Sequence, residues 1–190
     1  MSIFLEISDL KSYNIYVVLV VGVICLYTVG NKIVHPLHGA GTIDNIITQT
    51  IDGTSREYYV VKLHTNNMTI MVPVATSKEI GIRDVISSEE ADKLLSLFST
   101  IETDDVQNWN RRYRDNATKI KSGDLNEVVR VIKSLSIRDI KSGLSTGERK
   151  MLHSARQILV SELILAKGTT KQDIENLLDV ALSGVIKEQK

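Results

Sequence analysis

EYYVVKLHTNNMTIMVPVATSKEIGIRDVISSEEADKLLSLFST, residues 57–100, changes its hydrophobic period part-way along. Tyr59, Val61 and Leu63 alternate with Tyr58, Val60 and Lys62, the period of two that marks a strand with one buried face. Asn66 and Asn67 tolerate positive φ and turn the chain into a second run, Met68 to Val72, and Pro73 ends that ladder or marks an edge. After Arg83-Asp84 the period becomes 3.6. Ser87 or Ser88, followed by Glu90, opens a helix whose Ala91, Leu94, Leu95 and Phe98 share a face. The stretch holds the end of a β module and the start of an α module.

Upstream, Thr28 to Val34 reads as a strand, the HPLHGAG segment of residues 35–41 bends the chain, and Thr42 to Ile51 reads as a second strand turned by Asp52-Gly53. Four short strands in about fifty residues are too few for a sandwich, so a small, strongly twisted antiparallel barrel is expected. Downstream, Asn108 caps a second helix to about Lys121, Asp124 starts a third that ends near Gly143, Ser145 to Glu148 is a capping box for a fourth to about Ala166, and Thr170 caps a fifth that presents Ile174, Leu177, Leu178, Ala181 and Val185. The expectation is an α+β chain in two domains: a β-barrel over 27–82 and a compact all-α domain of about five helices over 83–190. Residues 1–26 form an apolar extension.

That extension contains IYVVLVVGVICLYTV, residues 15–29. It is short of the about 20 apolar residues that span a bilayer. Glu6 and Asp9 outweigh Lys11, which is not the basic leader of a secretory signal. A membrane anchor, an appendage and an upstream-assigned start are the three readings. Cys25 is the single cysteine, which excludes an intrachain disulfide and a cysteine-built zinc site. His35, His38 and His64 lack the carboxylates or thiolates that complete a metal site, so no metal and no cofactor are expected. No nucleophile and base, metal cluster or phosphate loop stands out, and an enzyme is not expected.

The 23 basic and 23 acidic residues cancel overall, but they are sorted along the chain. Residues 83–108 hold two basic and seven acidic groups, whereas residues 109–158 hold twelve basic and five acidic. At 100° per residue Arg111, Arg114, Thr118 and Lys121 share one face of the second helix, roughly opposite Tyr113, Ala117 and Ile120. Arg149, His153 and Arg156 gather away from the Leu152 stripe of the fourth. Two basic helix faces favour nucleic-acid phosphate over scattered solubilising charge. Trp109, the only tryptophan, opens the second helix before Arg111, Arg112 and Arg114. It reads equally as a staple packed on the core and as a wedge against an unstacked base.

VGNKIVHPLHGAG, TIDGTSREYYVVKL, MTIMVPV, GIRDVIS, NWNRRYR, KSGDLNEVVRVIKSL, GLSTGERKML and ARQILVSELILA, in this order from about Tyr27 to Lys167, resemble the CarD family of bacterial transcription regulators. The resemblance implies a Tudor-like RNA-polymerase-interacting domain, shared with transcription-repair coupling factors, followed by a helical DNA-binding domain. It implies a cytoplasmic, nucleoid-associated monomer that binds the β subunit of RNA polymerase and contacts promoter DNA at the upstream fork of the bubble, stabilising the open complex. Trp109 would be the minor-groove wedge, with Arg111, Arg114 and Arg149 as DNA contacts beside Lys121 and Arg156 of the two basic faces. The polymerase contact would use the strand from Met68 to Val74 and a neighbouring strand around Thr48 to Ile51, through Gln49, Ile51, Thr69, Met71 and Pro73, by edge pairing. Gln49 and Met71 stand where some relatives carry basic residues, and residues 1–26 lie outside the resemblance. The alternative is a DNA-binding or nucleoid-associated protein that acts without polymerase. A membrane partner enters only through residues 15–29.

Overall fold

A computed structural model describes residues 26–103 and 108–187. The expected apolar extension up to Cys25, the Asp104 to Gln107 part of the acidic linker and the side chain of Val185 lie outside the described residues. Strands β1 (Lys32–His35), β2 (Gly39–Ile51), β3 (Thr54–Leu63) and β4 (Thr69–Pro73) are followed by a one-turn helix α1 (Ser77–Ile80) and a two-residue strand β5 (Arg83–Asp84). The sheet is antiparallel with order β4-β3-β2-β1-β5. This is the Tudor-like module, and among the described residues no ladder joins β4 to β5, so β4 is an edge.

Turn chemistry sets the register. Asp52 and Gly53 both adopt positive φ, 50° and 76°, the conformation that two-residue hairpin turns need, and Asn67 does the same at 55°. A bulge between Ile43 and Asn45 shifts the alternation of β2, so Ile43 and Ile46 turn to the core on either side of it. Ile33, Ile43, Tyr59, Val61, Leu63 and Val72 pack there. Arg83-Asp84, where the sequence period changes, still belongs to the sheet by pairing with Val34 and Ile33. Two residues carry no periodicity, so this strand was not visible in the pattern.

Five helices follow: α2 (Ser88–Thr100), α3 (Trp109–Lys121), α4 (Leu125–Ser142), α5 (Thr146–Lys167) and α6 (Lys171–Lys187). Their starts are fixed by side-chain caps. Ser87 and Glu90 form a reciprocal capping box for α2, Ser145 and Glu148 another for α5, and Asn108 and Asp124 accept backbone N–H groups at the heads of α3 and α4. One continuous core, including Phe98, Ile132, Leu135, Leu159, Leu163 and Leu178, joins α2, α4, α5 and α6. No helix among the described residues is long and apolar enough to cross a membrane.

Candidate nucleic-acid interface

The heads of α3 and α5 meet. Asn108 Oδ1 accepts from Arg111 N at 3.0 Å, which starts α3 with Trp109 in its first turn. Trp109 Nε1 donates to Ser145 Oγ at 3.1 Å, and Ser145 is the N-cap of α5. The indole stacks on Tyr113 with ring centroids 5.5 Å apart and planes 29° apart. Gly147 leaves room for that stack, because a Cβ there would sit 3.3 Å from the Tyr113 ring. Trp109 nevertheless stays 46% exposed and Tyr113 37%. Trp109 therefore lies outside the buried core of the helical domain. The indole is tethered by its Nε1 edge and stays nearly half exposed, an arrangement compatible with stacking on a flat π-system.

Beneath this pair lies a charge that the helical pattern did not single out. The buried arc of α3 runs through Arg112, Asn116 and Ile120 rather than through Tyr113 and Ala117. Arg112 is 5% exposed and Glu148 2%. Arg112 Nε and Nη2 lie 2.8 Å and 2.7 Å from Glu148 Oε1. The other carboxylate oxygen accepts from Ser145 N at 3.0 Å and Ser145 Oγ at 2.7 Å. Arg138 of α4 approaches the same carboxylate at 4.0 Å. Burial alone pushes the Glu148 carboxyl up, but hydrogen bonds from Ser145 and then the Arg112 guanidinium outweigh it and hold the group below the usual glutamate range. A buried guanidinium, a carboxylate, a cap and the exposed indole thus form one connected network. The one sequence signal was the capping-box glutamate, which has an oxygen to spare for a cation; the helical angle of Arg112 did not place it inward.

The cations sort by what answers them. Arg111, Arg114 and Lys121 are exposed on α3, and Arg149 on the first turns of α5. Among the described residues no carboxylate pairs with Arg114, Lys121 or Arg149, and Arg111 has only a 3.6 Å contact with Asp115 in open solvent. Arg114 and Arg149 lie within a turn or two of the indole. Lys121 stands twelve residues further along α3, roughly 18 Å away. Arg156 differs. Its Nη2 lies 2.8 Å from both Glu175 and Asp179, so its charge is answered by α6 and it serves the α5–α6 contact.

The second surface is the β4 edge. Leu63 N donates to Met68 O and Val74 N to Glu57 O. With the register Lys62↔Thr69, Val60↔Met71 and Tyr58↔Pro73, this places the even-numbered residues of β4 in the bonded pairs with β3. Thr69 and Met71 therefore turn both N–H and C=O outward, and Pro73 only its C=O. The neighbour of β4 is β3, not the strand around Thr48 to Ile51 as expected from the sequence; β3 lies between them, and β4 ends where Pro73 meets Tyr58. Gln49 and Ile51 belong to the two-stranded tip beyond, opposite Arg56 and Thr54. Their alternation still puts them on the same outer sheet face as Thr69, Met71 and Pro73. Arg56 supplies a basic group on that face directly across from Gln49, a residue that strand reading alone did not single out.

The histidines do not converge. The His35 and His38 rings lie 4.5 Å apart, but His35 Nδ1 accepts from Leu37 N, and the His64 ring bonds the Thr42 hydroxyl. Burial and the neighbouring His38 lower His35 to about 4, so it is neutral at pH 7.

Two family models match the chain: one described as the CarD-like/TRCF RID domain over residues 27–86 and one described as the CarD C-terminal domain over residues 93–179. The chain is also 32% identical over 151 residues to a Bacillus subtilis (strain 168) protein named "Putative transcription factor YdeB", a similarity that covers 80% of this chain and 99% of that protein.

Proposed function

The chain belongs to the CarD family of transcription regulators, and we propose that it stabilises the promoter open complex while tethered to the β subunit of RNA polymerase. It acts as a cytoplasmic, nucleoid-associated monomer and as a regulator, not as an enzyme. The carrying observation is the exposed Trp109–Tyr113 stack beside Arg114 and Arg149, whose charges no described carboxylate answers. A flat aromatic face ringed by unspent cations suits a distorted duplex at the upstream edge of the bubble, where an indole can fill an opened base step while guanidiniums hold the flanking phosphates. Arg111 and Lys121 extend the phosphate track along α3, and Arg156 is left out of it because α6 answers its charge.

The tether is β4. Thr69 and Met71 offer outward backbone groups to a strand of the polymerase lobe, with Pro73 closing the edge and Gln49, Ile51 and Arg56 on the adjoining outer face. The direct test is the lifetime of an open complex formed by bacterial polymerase with and without the full chain. A longer lifetime is expected, and tight binding to bare duplex with no effect on the complex would favour the polymerase-independent alternative.

Met71→Pro tests the tether. It removes an N–H that takes no part in the β3 ladder, and an edge strand accepts proline. Polymerase affinity is expected to fall about tenfold or more, the equivalent of one or two net hydrogen bonds. Unfolding temperature should stay close to the parent's, and undiminished affinity in the folded variant would remove β4 from the contact. Arg114→Glu tests the phosphate track. Binding to forked DNA should weaken, and the slope of log affinity against log salt should become shallower by about one. Identical slopes for variant and parent would exclude Arg114.

A further inference from the structure

One helix joins the Trp109 end of the molecule to the sheet. At its head, α5 carries Ser145, which holds Trp109, and Arg149. Near its other end it carries Ser161 and Glu162, which hold the sheet. Ala40 N of β2 donates to Ser161 Oγ at 2.8 Å, and that hydroxyl donates to Ile158 O at 2.7 Å. Gly39 adopts φ +82° against the same turn of α5; a Cβ there would lie 2.3 Å from Ser161 Oγ and 3.2 Å from Ile158 Cα, so a larger residue would displace the Ser161 hydroxyl or shift the strand. Glu162 is fully buried and receives Arg83 of β5 in two bonds, Nη1 to Oε1 at 2.5 Å and Nη2 to Oε2 at 2.8 Å, with Ile86 N as a third donor at 3.2 Å. Pro36 fills the remaining corner against Gly81 and Gly123. Beside these contacts the modules part around an open groove of about 660 Å³ between Arg83–Ile86 and the heads of α2 and α4.

We infer that Ser161 and Glu162 are positioning residues: they clasp the sheet to α5 and so fix where Trp109 lies relative to the β4 edge. The inference rests on the tethered contact proposed above and adds a geometric requirement to it. A tether raises the local concentration of the second contact only if both can engage at once. From Ser145 to Ser161 the helix runs roughly 24 Å without a break. A few polar bonds and one close glycine contact at the far end therefore decide the direction in which the indole points when the edge is occupied. Neither residue lies on the sheet edge or on the basic face, so their loss leaves each separate contact intact.

The test uses the full chain with Cys25→Ser and labels on Thr54→Cys in the β2–β3 tip and Asn110→Cys at the head of α3, in the parent and in Ser161→Ala and Glu162→Gln variants. In the parent the distance between labels should be narrowly distributed, and in the Ser161→Ala/Glu162→Gln double variant it should broaden. Polymerase affinity and forked-DNA affinity, each measured alone, should stay within about twofold, while the gain in open-complex lifetime falls about tenfold or more, because effective concentration drops when linked sites lose their mutual geometry. The single Ser161→Ala variant, which removes one hydroxyl, repeats the test if the double variant does not fold. A distribution as narrow in the variants as in the parent would overturn the clasp, as would a broadened distribution with the full lifetime gain retained. A parent that fails to extend the lifetime would instead overturn the tethered contact, and the label distances would still decide whether the clasp holds the domains.

Discussion

Trp109→Ala should abolish most of the open-complex stabilisation while leaving the fold and the polymerase contact in place. A base stacked on an aromatic side chain is worth about 1 to 3 kcal/mol, so the lifetime gain should shrink by a factor of roughly 5 to 150. The local cost to the fold is small. The indole is 46% exposed, and its removal forfeits one hydrogen bond to Ser145 and the stack on Tyr113. The Arg112–Glu148 pair beneath it makes no direct bond to the indole and is linked to it only through the Ser145 hydroxyl. Trp109→Phe separates two contributions, since it keeps an aromatic face but loses the Nε1 donor that aims it. An intermediate lifetime is expected for that variant. If Trp109→Ala supports the parent's lifetime at saturating concentration, the indole is not the wedge.

Glu148→Ala carries the largest expected effect on stability. It takes the Glu148 carboxylate away from Arg112, 5% exposed, and removes the second half of the α5 capping box. Breaking a buried pair by deleting one partner costs about 3 to 5 kcal/mol. In a chain of this size that corresponds to a fall in unfolding temperature of roughly 6 to 20 °C. Glu148→Gln should fall between parent and alanine, because an amide can still accept from Ser145 but carries no charge. The sign with pH follows from the lowered carboxyl. A depressed folded-state value stabilises the protein above the ordinary glutamate range, and that stabilisation disappears as pH falls through the folded-state value. The stability gap between parent and Glu148→Gln should therefore be full at neutral pH and close on acidification. A gap independent of pH would show that the carboxylate charge is not what Arg112 requires.

These two residues also mark what could be read from the sequence. Caps and turns were legible because their chemistry is local: Ser145 and Glu148 are three residues apart, and Asp52-Gly53 carries its own positive φ. Helix faces were legible to within one residue on each side, which is why Ile120 was placed inward correctly and Arg112 was not. A charged residue is assigned to solvent by any hydropathy pattern, and the carboxylate that answers it here stands 36 residues away in the sequence. Strand order is non-local too. The alternation of residues 57–63 identified a strand, but nothing in it said that β3 would stand between β4 and the tip around Gln49. Arg156 is the converse case. Its position on a basic face is real, but Glu175 and Asp179 reach it from α6, across a fold that no single-helix projection contains.

The β4 edge has a further consequence, for how long a partner stays. Thr69 and Met71 are the only residues of β4 with both backbone groups facing out, and Pro73 withholds the donor that would lengthen the ladder. An edge this short limits self-pairing between copies of the chain, a hazard of long open edges. It also limits residence. A contact of a few hydrogen bonds releases readily, and variation among related contacts falls mainly on the dissociation rate. With β4 as the proposed tether, occupancy of the edge would follow how much protein the cell keeps, so abundance, rather than a change of shape, would be the variable that adjusts its proposed effect on each round of initiation.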